Sequence, residues 1–176
     1  MSKSISHANR GLDFEARVQK KCDILVRDKV LFLSKVPTEF KIIRGVGGKI
    51  VNAFAVGESR FVDFIGTYSN GKSLAIECKQ TIEKTSFSFN NIKESQFNFF
   101  KVWNEFNGLG YYLINWKTHR KLYMIKSMDL VDLRKELIEG VYGKPRKSIP
   151  FNMFESDPRF IELNYTKINF EDYIDK

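Results

Sequence analysis

Apolar residues recur at helical spacing in three parts of the chain. The segments run from about Asn9 to Asp28, from Ile92 to Phe106 and from Asp129 to Glu139, and each is predicted to be an amphipathic helix. Between them lie runs rich in β-branched and aromatic residues, at 30–43, 50–56, 60–68, 73–80, 111–114 and 122–125, which predict strands. The order α-β-β-β-α-β, followed by further elements, predicts an α/β fold. The aromatic-rich tail beyond Ile149 is expected to fold back on it.

Two polar residues interrupt the apolar faces of these helices. Glu15 lies three residues after Leu12 and three before Val18, so it points in the direction of the core residues. A structural explanation is that Glu15 sits at the helix edge and pairs with one of three neighbours: Arg10, Arg17 or Gln19. Gln96 interrupts the second face, where a capped core amide would explain it. That face is formed by Ile92, Phe99, Phe100, Trp103 and Phe106.

Glycine-containing segments separate several of the predicted strands. Residues 44–49, Arg-Gly-Val-Gly-Gly-Lys, lie between two strand-like runs and predict a protruding hairpin rather than a helix. This segment is not a phosphate-binding P-loop, because Gly48-Lys49 is followed by Ile50 and not by Ser or Thr. Asn70-Gly71, between the runs at 60–68 and 73–80, is a strong signal for a tight β-hairpin.

The composition is that of a single globular domain covering residues 1–176. Hydrophobic residues make up 43% of the chain, and the net charge of +8 favours a polyanionic partner. A membrane is a weaker candidate, because no apolar run approaches the ~18–20 residues of a spanning helix. Cys22 and Cys78 lack CxxC spacing, and the N-terminus lacks the apolar stretch of a signal peptide. We therefore expect free thiols and a cytoplasmic location.

One acidic residue and one acid–lysine pair lie in strands that are otherwise apolar. Asp63 follows Arg60-Phe61-Val62, and Glu77 and Lys79 lie within Leu74-Ala75-Ile76-Glu77-Cys78-Lys79. Glu77 and Lys79 are two positions apart in one strand, so their side chains leave the same face. Whether Asp63 joins them depends on the turn between the two strands.

The register of this hairpin decides which residue faces Glu77. A two-residue Asn70-Gly71 turn would bring Asp63 opposite Cys78, on the wrong face. A three-residue loop, with Gly71 in the left-handed conformation, would bring Asp63 opposite Glu77. A site shared by the two carboxylates therefore requires either the three-residue loop or a bulge between them.

Two carboxylates that face each other across strands repel each other unless a cation lies between them. Oxygen ligands suit Mg²⁺ or Mn²⁺, which keep waters that a phosphate and a nucleophile can share. Asp63 and Glu77 are thus candidate metal ligands, and Lys79 could orient a metal-activated water or stabilise the developing phosphorane. The pattern indicates phosphodiester hydrolysis. The alternative is that Glu77 and Lys79 form the exposed charged face of an amphipathic strand.

Over most of its length the chain resembles the RecU Holliday junction resolvases of Gram-positive bacteria and their phages. The matching stretches are Asn9-Arg10-Gly11 with Glu15; Lys35 with Pro37-Thr38; Asp63; Glu77-Cys78-Lys79; Lys84-Thr85-Ser86-Phe87; Gln96; and Gly143-Lys144-Pro145-Arg146-Lys147-Ser148-Ile149. The resemblance implies a restriction-endonuclease-like αβββαβ core of the PD-(D/E)xK superfamily, with residues 41–58 as a stalk that reaches the junction centre. It implies a homodimer that cuts four-way DNA junctions symmetrically with Mg²⁺ or Mn²⁺. It also adds Glu15 and Gln96 to the catalytic residues, with Gln96 positioning a water or a neighbouring side chain.

The chain departs from that family in three places. Phe61-Val62 stands where two threonines usually precede the aspartate, and Phe64 stands where a tyrosine usually follows it. Glu39 replaces a proline, and Ser95 replaces the histidine before the glutamine. These changes fit a diverged copy of the kind that phages carry, and they bear on junction specificity more than on nuclease chemistry.

Basic and polar residues outside the metal site are candidate contacts to DNA phosphates, although any one of them is more often a solvated surface residue. They are Arg10, Lys41, Arg44, Lys49, Arg60, Lys84, Thr85, Lys144, Arg146 and Lys147.

Two other functions fit the same residues. One is a nuclease of this superfamily that acts on flaps, ends or a restriction site, and the stalk and the dimer would distinguish a resolvase from it. The other is a junction-binding recombination accessory that does not cleave, against which the intact Asp63, Glu77 and Lys79 argue. None of these functions involves a small-molecule substrate.

Overall fold

A computed structural model describes residues 12–37, 40–55, 61–68 and 70–174. The helices are α1 (Leu12–Arg27), α2 (Glu94–Glu105), α3 (Ser127–Glu139) and α4 (Phe151–Ser156). The strands are β1 (Leu31–Lys35), β2 (Phe40–Arg44), β3 (Ile50–Ala55), β4 (Phe64–Tyr68), β5 (Ser73–Thr81), β6 (Ser86–Ser88), β7 (Leu109–Trp116), β8 (Lys121–Lys126), β9 (Ser148–Pro150) and β10 (Ile161–Leu163). None of the helices described is long and apolar enough to cross a membrane.

The main sheet has the strand order β1-β4-β5-β7-β8-β10. The pair β5–β7 is parallel, and the other pairs are antiparallel. A parallel pair needs a crossover connection, which α2 provides. The elements α1-β1-β4-β5-α2-β7 give the predicted αβββαβ core, and the α/β fold is confirmed. The tail also folds back as expected, because β10 pairs with β8.

Helices cover both faces of this sheet. Ile76 and Cys78 of β5 pack on one face with Val18 and Cys22 of α1. Ala75 packs on the other face, in a cluster with Phe97 and Phe100 of α2 and with Leu130 and Leu133 of α3. Strand β7 is buried from Tyr111 to Trp116, as expected for a strand that is covered on both sides. Since side chains alternate along β5, Glu77 belongs to the face under α2.

Two helices differ in detail from their predicted apolar faces. In α1, Phe14 is buried although it stands next to Glu15, whereas the apolar Val26 near the end of the helix is exposed. In α2 the buried aromatic residues are Phe97 and Phe100, whereas Phe106 is 78% exposed. The reason is that Phe106 follows the last helical residue and the chain then turns at Asn107, which has φ 58°. Phe106 is therefore a surface residue, contrary to the prediction.

The β4–β5 connection has the three-residue loop that a shared carboxylate site requires. Gly71 has φ 83°, and Tyr68 and Lys72 close the loop through a hydrogen bond from Tyr68 N to Lys72 O of 2.9 Å. The ladder runs from Thr67↔Ser73 to Phe64↔Ile76. One further step in this register brings Asp63 opposite Glu77. The predicted register is confirmed.

The glycine-rich segment forms the predicted hairpin. Strands β2 and β3 pair with each other in a separate two-stranded sheet. Their tip is a single 3-10 turn at Val46–Gly48, in which Gly47 and Gly48 have φ near 76°. Arg44, Lys49 and the apolar side chains around the tip are exposed. The last residues of the proposed stalk, 56–58, lie outside the described residues.

Two glycines of the β4–β5 hairpin, Gly66 and Gly71, allow a direct test of its geometry. A Cβ at Gly71 would meet no atom within 4 Å, so Gly71→Val should cost only the left-handed backbone strain, about 1–2 kcal/mol of unfolding free energy. A Cβ at Gly66 would lie 1.9 Å from the carbonyl oxygen of Phe32, so Gly66→Ala should cost more, because strand β1 must move. Urea unfolding curves measure both.

Gly71→Asn is the matched control, because asparagine tolerates the left-handed region and should lose less stability than valine. A Gly71→Val variant as stable as the wild type would contradict the loop geometry.

Candidate active site

Asp63 is held where three strands meet. Its carbonyl oxygen accepts a hydrogen bond of 2.8 Å from the amide of Val36, just beyond β1. Its Oδ2 accepts one of 2.8 Å from the amide of Cys78 in β5. These two bonds fasten both the backbone and the side chain of Asp63 to neighbouring strands. The carboxylate is therefore positioned before any ligand arrives.

Glu77 is the most deeply buried acid of the site, with 2% of its surface exposed. Its Oε1 accepts hydrogen bonds from Lys79 Nζ, at 2.7 Å, and from the amide nitrogen of Gln96. Its Oε2 is buried and has no hydrogen-bond partner within the described part of the chain. A buried polar atom without a partner costs free energy, so this oxygen is suited to a ligand.

Burial dominates the electrostatics of both carboxyl groups. It raises the pKa of Glu77 to about 7, and the charge of Asp63 adds to this rise, while Lys79 acts against it. Burial also raises the pKa of Asp63 to about 6, followed by the charge of Glu15, while the Cys78 amide lowers it. The two acids thus disfavour each other's ionisation, which a cation between them would reverse.

Gln96 both caps a helix and positions a neighbouring side chain, the two roles considered for it from the sequence. Its Oε1 accepts a hydrogen bond of 3.0 Å from the amide of Lys93 and caps the first turn of α2. Its amide nitrogen donates to Glu77. Because a capped amide has a fixed orientation, α2 holds one oxygen of Glu77 and leaves the other uncommitted.

Glu15 is turned towards the site by a partner that sequence reasoning missed. Its carboxylate accepts a hydrogen bond of 2.8 Å from Lys35 Nζ at the end of β1. The partners considered from sequence are engaged elsewhere or lie outside the described residues: Arg17 donates to the carbonyl of Tyr165, Gln19 donates to Asp23, and Arg10 is not described. Both Glu15 and Lys35 influence the pKa of Asp63, in opposite directions, so the pair lies beside that residue.

The signal for Lys35 was present in the sequence. Its stretch, Lys35 with Pro37-Thr38, matched the family motif, yet nothing local to β1 indicated that its side chain would reach α1.

Those candidate DNA contacts that the structure describes lie in two places: at the tip of the β2–β3 hairpin, and in the two loops before β6 and β9. Arg44 and Lys49 lie at the hairpin tip. Lys84 and Thr85 precede β6, whereas Lys144, Arg146 and Lys147 precede β9. The β6–β9 ladder and a 3.1 Å hydrogen bond from Phe89 N to Lys147 O join these two loops. The remaining candidates lie outside the part of the chain that the structure describes: Arg10, Arg60 and the side chain of Lys41.

His119, for which the sequence predicted no role, supports the loop that carries Lys84 and Thr85. Its ring nitrogen donates to the Lys84 carbonyl at 2.8 Å, and the ring stacks on Phe151 with centroids 3.9 Å apart. The turn after β7 thereby fixes the loop that carries Lys84 and Thr85.

The donor set fits a hard divalent cation with few protein ligands. Within the described ranges, His, Cys, Asp and Glu side chains form no group of three or more that could hold a metal ion. Two carboxylates remain, Asp63 and Glu77, and Mg²⁺ is typically bound by one or two carboxylates together with waters and substrate phosphates. The unpartnered Oε2 of Glu77 and the raised pKa values of both carboxyl groups fit a donor set that a cation would stabilise.

The sequence comparisons with known proteins point to one family, RecU. The sequence model of the family described as "Recombination protein U", RecU, matches residues 9–176. The Holliday junction resolvase RecU of Streptococcus mutans is 25% identical, and the match covers 100% of this chain and 88% of that protein. The RecU of Oceanobacillus iheyensis is 28% identical, with 91% and 81% covered. Among solved structures, the Holliday junction resolvase Hjc of Archaeoglobus fulgidus matches with a TM-score of 0.40 and 13% identity, over 83% of this chain and 93% of that one.

The burial of Glu77 predicts a pH dependence of stability without metal. Its pKa is raised from an ordinary value of 4.5 to about 7 in the folded state. Between these values the folded chain holds a proton that the unfolded chain has lost, so the unfolding free energy should fall as pH rises through this window. Urea unfolding in EDTA at several pH values should show this fall, and Glu77→Gln should reduce it.

Glu155→Gln, at an exposed position, is the control and should leave the pH profile unchanged. An identical profile for wild type and Glu77→Gln would mean that Glu77 is not buried as described.

Proposed function

The chain belongs to the RecU family, and from this premise we propose that it is a metal-dependent endodeoxyribonuclease that resolves Holliday junctions. The observation that carries the proposal is Glu77: a buried carboxylate with one oxygen fixed by Lys79 and Gln96 and the other without a partner. An acid buried in this way weakens the fold, so its presence is best explained by chemistry.

Asp63 and Glu77 would hold Mg²⁺ or Mn²⁺. Such an ion, when bound, lowers the pKa of a coordinated water and offsets the negative charge that grows on the phosphate. Asp63 is ready for this role because the amides of Val36 and Cys78 fix it. Glu77 is ready because Gln96 orients it.

Lys79 would supply positive charge next to the reacting phosphate. Its ammonium group has three donors, one of which it gives to Glu77. The others can hydrogen-bond a phosphate oxygen or the attacking water, and this would stabilise the negative charge that develops on the phosphate in the transition state. The Glu15–Lys35 pair lies next to Asp63, where the charge of Glu15 raises the pKa of Asp63 and the weaker influence of the Lys35 ammonium group lowers it.

Symmetric resolution requires two such sites related by a two-fold axis, so we propose that the active form is a homodimer. The basic loops would contact the phosphate backbone. The hairpin would act at the branch point, because a continuous duplex offers no opening into which such a protrusion could fit.

The carboxylate roles are tested with a synthetic four-way junction, a matched duplex and a flap, with and without Mg²⁺. The wild type should cut the junction in preference and only with Mg²⁺. Asp63→Asn and Glu77→Gln should reduce cutting by at least roughly a hundredfold, while junction binding in Ca²⁺ is retained because the carboxylates hold metal rather than DNA. Gln96→Leu should cost about 10–100-fold, as expected for a residue that supports a metal ligand.

Exposed Glu155→Gln serves as the control for general effects of removing an acid. Undiminished cutting by both carboxylate variants would remove the site assignment, and flap cutting that exceeds junction cutting would favour a different substrate.

The role of the hairpin is tested by shortening it in register. Ile42 pairs with Ala53, so replacing residues 43–52 with Gly-Gly leaves a short hairpin closed by a two-residue loop. This variant should fold and should bind the junction and the duplex equally, because the tip and its bases Arg44 and Lys49 are gone.

Arg44→Gln with Lys49→Gln in the intact hairpin separates charge from shape. Gel-shift titrations of both DNAs measure the outcome, and full junction preference in the shortened protein would refute the stalk role.

A further inference from the structure

An exposed run of apolar side chains, mostly aromatic, begins two residues from Asp63 and takes no part in the chemistry above. Phe61 is 47% exposed, and its ring lies edge-to-face with Phe99 at 6.2 Å between centroids. Phe99 in turn stacks on Trp103 at 5.4 Å and 22°. Together with the exposed Val102 and Phe106, these residues form what we call the aromatic strip. A surface hollow of about 590 Å³ lies along its α2 part.

The strip is tied to the active site at two points. Phe61 lies on the segment that leads into Asp63. Phe99 lies one helical turn after Gln96, whose amide nitrogen donates to Glu77. A DNA strand whose phosphate is bound by a metal ion at Asp63 and Glu77 would therefore pass next to these rings.

The strip exposes more apolar surface than the packing of the core requires. The core under α2 is closed by Phe97 and Phe100, both fully buried, whereas Phe61, Val102 and Phe106 leave large apolar areas in water. Contiguous exposed apolar surface of this kind marks a binding site. It begins on the catalytic segment of a chain with a net charge of +8, which attracts a polyanion.

We propose that the aromatic strip binds a nucleobase next to the scissile phosphate, one that has left its stack at the branch point, with Phe61 as the principal contact. Aromatic side chains stack on any of the bases, because each base has a π face. A protein partner seated on Phe61 would crowd the approach to Asp63, whereas a base arrives with the substrate itself. The inference rests on the proposed junction-cleaving function and names a further part of its substrate site.

Three substitutions at Phe61 separate ring stacking from apolar contact. Junction binding by the full-length protein is measured in Ca²⁺, and cleavage in Mg²⁺. Phe61→Ala and Phe61→Leu should each weaken junction binding about tenfold, because leucine keeps apolar area but has no ring. Phe61→Trp should bind as the wild type does. Phe32→Ala is the matched control, since Phe32 is 56% exposed on edge strand β1 outside the strip, and it should change nothing.

A second measurement does not depend on how the variants fold. Four-way junctions that carry 5-iodouracil at successive positions around the cleavage site are irradiated in complex with the wild-type protein. A cross-link that maps to Phe61 from one or two adjacent positions is the expected result.

The outcomes distinguish this inference from the function on which it rests. If the wild type neither prefers nor cuts the junction, the proposed function fails and the inference fails with it. If the wild type cuts junctions, but Phe61→Ala binds normally and no cross-link maps to Phe61, the inference alone is overturned. It is also overturned if Phe61→Leu behaves like the wild type while Phe61→Ala changes the oligomeric state in size-exclusion chromatography, which would assign the strip to a protein partner.

Discussion

The mutual repulsion of two buried carboxyl groups is the constraint on which the site depends. Asp63 and Glu77 lie opposite each other in a place where burial alone raises the pKa of both. Each neighbour offsets part of that cost: Lys79 and Gln96 act on Glu77, and the Cys78 amide acts on Asp63. The compensation is incomplete, because one oxygen of Glu77 has no partner among the described residues. In the proposed function, a bound cation would supply the positive charge that this site lacks.

The parts of this arrangement that could be predicted from sequence are those governed by local rules. The face of Glu77 and Lys79 follows from the period of a strand, and the position of Asp63 follows from the length of the turn at Gly71. Both are confirmed, because the parity of a hairpin leaves only two possibilities and one of them separates the carboxylates.

The parts that could not be predicted depend on how distant elements cross. Glu15 pairs with Lys35, twenty positions away, only because α1 packs against β1. Phe106 is exposed because α2 ends at Glu105, one residue before the predicted end, and the apolar pattern did not identify Phe97 as a buried residue. The ladder that joins the loops of Lys84 and Lys147 arises from two three-residue strands, which are too short to give a periodic signal.

Strand β5 connects the packing of the core to the geometry of the candidate active site. Its alternate residues face opposite layers: Ile76 and Cys78 pack into the apolar cluster under α1, and Glu77 points into the layer under α2. Cys78 connects the two, because its side chain is locked in that apolar cluster while its amide donates to Asp63. Packing on the face that does no chemistry therefore fixes the donor that orients a carboxylate. A fixed supporting shell of this kind keeps a site within the narrow tolerance that catalysis demands, so a substitution at Cys78 that loosened the α1 layer would disturb Asp63 without touching any ligand.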